Sequence, residues 1–122
     1  MKTYKDLIVW KKAIMLVTEV YSIALSFPKE ELFSLTSQLK RCAISIPSNI
    51  SEGYGRQSRK DYVRFFKISR RSLYEMQTQL EIAGNLKFLN QNNLQNLIGK
   101  CNEIERMLNK LKSILTIQAK NI

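Results

Sequence analysis

The sequence encodes an all-α domain, an antiparallel up-down-up-down four-helix bundle, and three observations lead there. Four stretches carry apolar residues at alternating steps of three and four, the spacing of one helix face. No stretch alternates with period two over a useful length, as a half-buried strand would. The 122 residues include only four Gly and two Pro, too few for the turns of a β-rich chain. The whole of 1–122 reads as one domain, long enough to bury a genuine core. Apolar content of 44% and charged content of 25% do not favour disorder.

The first helix is expected over about 5–26. Leu7, Trp10, Ile14, Val17, Tyr21 and Ala24 form a heptad seam. Val9, Ala13, Leu16, Val20 and Ile23 add a second strip beside it. Together they cover an apolar arc of about 200°, where a bundle helix facing only its own core needs ~100° or somewhat more. The surplus suggests a face that meets another subunit; a deeply placed helix in a monomer is the alternative. Phe27-Pro28 ends the helix, because the residue before proline is pushed out of the α region.

The second helix is expected over about 30–52, with Glu30 and Glu31 favouring its N-terminus through the helix dipole. Its stripe is Leu32, Leu35, Leu39, Cys42 or Ala43, Ile46 and Ile50. Pro47 lies inside that pattern. It lacks an N–H and is expected to kink the helix rather than break it, since the apolar spacing continues to Ile50. Opposite the stripe lie Arg41, Ser45, Ser48 and Glu52, where small serines would let another chain approach closely or simply face solvent. Gly53 and Gly55 then read as a helix stop, since glycine adopts positive φ without a Cβ clash.

The third helix is expected over about 58–86. Ser58 and Asp61 have capping-box spacing, with Asp in place of the usual Glu or Gln. With Lys60 set at 0° and about 100° per residue, Arg64 falls near 40°, Lys67 near −20° and Arg71 near 20°. Tyr62, Phe65, Phe66, Leu73, Met76 and Leu80 fall roughly opposite, as a core face. The basic stripe is about 17 Å long at ~1.5 Å rise per residue. Arg56, Arg59 and Arg70 flank it, and Glu75 is the one acid spaced to pair within it, with Arg71. The fourth helix is expected over about 91–116. Leu94, Leu97 or Ile98, Cys101, Ile104, Leu108, Leu111 and Leu115 form an uninterrupted heptad, and 118–122 is expected to fray.

Charge is concentrated. The chain carries a net charge of +10. Between residues 40 and 71, Lys40, Arg41, Arg56, Arg59, Lys60, Arg64, Lys67, Arg70 and Arg71 face only Glu52 and Asp61. Such a cluster suits phosphates, since Lys and Arg neutralise backbone charge and release counterions. A solvated helix face is the competing reading. Tyr54 and Tyr62 are candidate stacking residues, with a core role for Tyr62 the stronger alternative.

Catalysis is disfavoured. The chain has no histidine, the side chain best suited to proton transfer near neutral pH. Gly53-x-Gly55 lacks the downstream glycine and preceding strand of a dinucleotide loop. Cys42 and Cys101 fall in apolar stripes and read as free buried thiols. Without Cys-x-x-Cys or histidine, no metal site is expected, and no cofactor. No apolar run approaches the ~20 residues of a membrane span, so a cytoplasmic protein without membrane contact is expected.

The order of these features resembles a known family. The resemblance rests on Asp6-Leu7-Ile8-Val9-Trp10-Lys11-Lys12-Ala13 and on the segment from Leu39 through Ile46-Pro47-Ser48-Asn49-Ile50-Ser51-Glu52-Gly53. It continues with Tyr62-Val63-Arg64-Phe65-Phe66-Lys67-Ile68-Ser69-Arg70-Arg71-Ser72-Leu73-Tyr74-Glu75 and Gln79-Leu80. The chain resembles the four-helix-bundle proteins encoded by intervening sequences in bacterial 23S rRNA genes. That group is similar to the accessory variability protein of diversity-generating retroelements. The resemblance implies a homopentameric ring. It also implies that the retroelement relatives bind nucleic acid and a reverse transcriptase through basic surfaces.

The expected function is therefore a non-enzymatic oligomer that binds RNA or DNA with little sequence specificity. The expected contact residues are Lys60, Arg64, Lys67 and Arg71, supported by Arg56, Arg59, Lys40 and Arg41. The alternative is an interaction scaffold or accessory subunit that docks an acidic or helical partner.

Overall fold

The structure, a computed structural model, describes residues 3–120, with side chains through residue 115. Four α-helices follow one another: α1 (Ile8–Ala24), α2 (Leu35–Tyr54), α3 (Arg59–Asn85) and α4 (Gln91–Lys120). Each packs on its sequence neighbours and α4 closes on α1. Contacts across every pair run in opposite directions: Tyr21 with Lys40, Ile46 with Ser69, Tyr74 with Glu105, and Lys12 with Glu103. The helices therefore form an antiparallel four-helix arrangement, with no strand among the described residues.

Two helices start later than their sequence patterns suggest. Tyr4–Asp6 is a separate 3-10 turn, capped reciprocally by Thr3 and Asp6, and α1 begins only at Ile8. Likewise Lys29–Glu31 forms its own 3-10 turn and α2 begins at Leu35, not near Glu30. Leu32 and Phe33, left in the connection, are 48% and 92% exposed. At the other end α4 stays helical through Lys120, beyond the expected stop. Of the segment expected to fray, 121–122 lies outside the described residues.

The core is lined by Leu16, Leu39, Ile46, Ile50, Leu73, Met76, Leu80, Leu97 and Ile104. In α1 the buried strip is Val9, Ala13, Leu16, Val20 and Ala24. Of the heptad seam, Leu7 and Ala24 at its ends are buried, Trp10 and Val17 are half-buried, and Ile14 and Tyr21 are exposed. With Tyr4, Thr18, Ile44, Pro47, Ser48 and Ser51, those seam residues Trp10, Ile14 and Val17 line an open groove of about 300 Å³ between α1 and α2. Part of the apolar surplus of α1 thus lines a surface groove, while Trp10 and Val17 also pack against the core.

α2 runs through Pro47 without a break. Gly53 lies inside this helix, buried, and no described glycine has positive φ. Its role is close packing against α3, not a backbone reversal. Among the described residues the one positive φ is at Lys87 (66°), in the α3–α4 connection. Polar contacts join α2 to α3. Ser69 Oγ donates to the Ile46 carbonyl at 2.9 Å, and Ser72 Oγ donates to Ser45 Oγ at 2.9 Å. So Ser45 serves an internal contact within the chain. No helix among the described residues is long and apolar enough to cross a membrane.

Candidate nucleic-acid interface

The candidate site is the solvent face of the first half of α3. Ser58 caps that helix, accepting from the Asp61 N–H at 3.2 Å, and this sets the rotation of the residues that follow. Tyr62 and Phe66, at 5% and 3% exposure, anchor the opposite face in the core. The cations are left outward. Arg59, Lys60, Arg64, Lys67, Arg70 and Arg71 surround Val63 in an open recess of about 620 Å³. No carboxylate lines it. Among the described residues, none of these six cations forms an ion pair.

The supporting cations divide. Arg56 pairs with Glu52 at 3.2 Å and lies over the Phe65 ring, 4.7 Å from its centroid. Arg64 lies over the same ring at 4.8 Å. Phe65 is therefore half-exposed beneath two guanidiniums and not part of the core face where its helical position suggested. Cation–π contacts of this kind hold a guanidinium in place without neutralising it. Lys40 is half-buried with its ammonium 4.9 Å from the Tyr21 ring centroid, turned toward α1 and away from the α3 recess. Arg41 lies in a different, polar recess with Gln38, Ser45, Ser72, Glu75 and Gln79. The antiparallel register causes this separation, because the start of α2 lies level with the second half of α3.

Glu75 does not pair with Arg71. Its carboxylate accepts instead from Cys42 Sγ at 3.5 Å, and Cys42 also donates to the Ser72 carbonyl at 2.9 Å. Tyr54 is half-buried against the core, and Tyr62 is fully committed to it.

The bundle also adds residues that no single-helix pattern contains. Asn109 and Lys112 of α4, with Leu108, meet Phe66, Lys67 and Arg70 in a small recess between α3 and α4. Tyr74, one turn past Arg70 and Arg71, is 49% exposed, and its hydroxyl donates to Glu105 of α4. That hydrogen bond, with lesser contributions from burial and the Glu105 charge, raises the Tyr74 pKa. The α3–α4 register that creates both features is not written in either helix alone. Cys42 and Cys101 are free and buried, and burial is the main reason each thiol is pushed up to about 12.

The sequence model of the 23S rRNA-intervening sequence proteins matches residues 5–110, from the first turn through most of α4. The chain belongs to that family. A solved structure from Bacteroides thetaiotaomicron, described as a protein of unknown function from the S23 ribosomal protein family, is similar to this 23S rRNA-intervening sequence protein. It shares 20% identity and a TM-score of 0.80, covering 87% of this chain and 96% of that one. At that identity the likeness shows the fold. A comparison with curated proteins finds no match.

Proposed function

We propose that this 23S rRNA-intervening sequence protein is a non-enzymatic, homopentameric nucleic-acid-binding protein of the cytoplasm. Its contact surface is the basic face of α3. One observation carries the reading: six cations surround Val63 with no acid among them. Unpaired Lys and Arg at that density favour a polyanion, and phosphates repeated along a backbone match cations repeated along a helix. Binding through phosphates positions a ligand but does not specify its sequence. A ring repeats the face around its axis, so weak contacts add through effective concentration. The reading calls for no cofactor.

The test is fluorescence anisotropy with labelled RNA and DNA at low and near-physiological salt. Affinity should fall steeply with salt. The combined Lys60→Gln, Arg64→Gln, Lys67→Gln and Arg71→Gln variant should flatten the slope of log K against log salt by roughly 0.7–0.9 per lost contact. Salt-insensitive binding, or none at low salt, would sink the proposal.

The α1–α2 groove favours a second reading. Exposed Ile14 and Ile44 beside Trp10, Val17 and Pro47 suit an apolar helix as well as a second copy. In that reading the protein is an accessory subunit for a protein partner, a reverse transcriptase in a retroelement setting. Co-purification of one defined protein without retention on RNA would favour it.

A further inference from the structure

We infer that the basic face takes single-stranded nucleic acid, with a base stacked on Tyr74 at the end of the cation row. This rests on the nucleic-acid reading above and adds the strandedness of the ligand and a residue that reads it.

Position comes first. Val63, Lys67, Arg70 and Tyr74 follow one another at steps of four, three and four, so they form one ridge along α3. From Val63 to Tyr74 that ridge rises about 16 Å at ~1.5 Å per residue. A strand laid along the recess reaches Tyr74 as soon as it passes Arg70 and Arg71.

Availability comes second. The other α3 aromatics are committed: Tyr62 and Phe66 are buried, and the Phe65 ring lies under Arg56 and Arg64. Tyr74 alone among them leaves about half its surface open, at 49% exposure. Its hydroxyl is held by Glu105 across the α3–α4 seam. A ring fixed at its tip has already lost rotamer freedom, so stacking on it costs less ordering.

Charge comes third. Along α3 the cation row ends at Arg71, and the carboxylate of Glu105 takes the Tyr74 hydroxyl. Past the last cation of the row the open ring suits a base, which offers a neutral π-face. A cationic track ending in an aromatic platform is the arrangement by which proteins hold single strands. A duplex keeps its bases stacked inside and offers none to Tyr74.

The experiment compares a short labelled RNA as a single strand and as a duplex, using wild type, Tyr74→Ala and Tyr74→Phe. Tyr74→Ala should weaken single-strand binding by roughly 5- to 100-fold and leave the salt slope and duplex affinity unchanged. Tyr74→Phe keeps the ring but loses its anchor to Glu105, so it should weaken single-strand binding far less than Tyr74→Ala. Quenching of a 2-aminopurine in the strand should be lost in Tyr74→Ala and retained in Tyr74→Phe. Helical circular dichroism and mass by light scattering check that both variants keep their fold and assembly. Unchanged single-strand affinity in Tyr74→Ala, or an equal loss for duplex, overturns the stacking role while the charge variants still test the basic face. A wild-type protein that binds neither form overturns both.

Discussion

Gly53 of α2 faces the ring of Phe66 on α3, so closely that a Cβ built on Gly53 would stand 2.7 Å from Phe66 Cε1 and 2.9 Å from Cδ1. Phe66 is 3% exposed and cannot swing away. A close approach of α2 to α3 thus lies beneath the start of the basic face, and it depends on a missing side chain.

Gly53→Ala should destabilise the protein by about 1–3 kcal/mol through overpacking, against the ~1 kcal/mol that alanine offers in a helix. Gly84→Ala should cost less. There the added Cβ meets Leu94 Cδ2 at 2.9 Å, the far end of a flexible side chain. Urea denaturation of the two variants should show a lower midpoint for Gly53→Ala with an unchanged m-value.

Tyr62 and Ser69 should respond in opposite directions. The Tyr62 hydroxyl is buried and finds no partner among the described residues. Tyr62→Phe should therefore leave stability unchanged or raise it by up to about 1 kcal/mol, with nucleic-acid affinity unaltered. Ser69 is fully buried and donates to the Ile46 carbonyl. Ser69→Ala should cost about 0.5–1.5 kcal/mol. The same denaturation experiment reads both.

Stability should fall in alkali. Burial, first among the causes, raises Cys101 from 9.0 to about 12, and Cys42 from 9.0 to about 12 with help from Glu75. Below pH 9 the folded and unfolded chains hold these protons alike. As pH rises from about 9 toward 12, the unfolded chain releases protons that the folded chain keeps, so the equilibrium shifts toward unfolding. Cys101→Ala should flatten that decline in a pH series of urea midpoints. Both thiols should react with an aromatic disulfide reagent only as fast as the protein opens.

A carboxylate in the α1–α2 groove should oppose assembly. Ile14 and Ile44 are 38% and 45% exposed within one chain, so Ile14→Glu or Ile44→Glu leaves the core intact. If that groove is where subunits meet, light scattering should show a smaller mass at unchanged helical content. An unchanged mass would place the subunit contact elsewhere.

The sequence alone determined the number and order of the helices, the Ser58 cap and the basic stripe of α3. These are properties of residues three and four apart, which one helix brings together by itself. Tertiary structure decided which of the two apolar strips of α1 faces the core, because rotation about a helix axis is set by the partners packed against it. It removed Lys40 from the basic face and put Arg41 in a separate recess. It also turned Gly53 from an expected helix stop into a packing device. The pairing of Tyr74 with Glu105, and the meeting of Lys112 with Lys67 and Arg70, likewise depend on how far α4 slides along α3. Periodicity within a helix carries no record of that register. It is fixed by core packing between the helices, where Cys101 of α4 meets Met76 of α3.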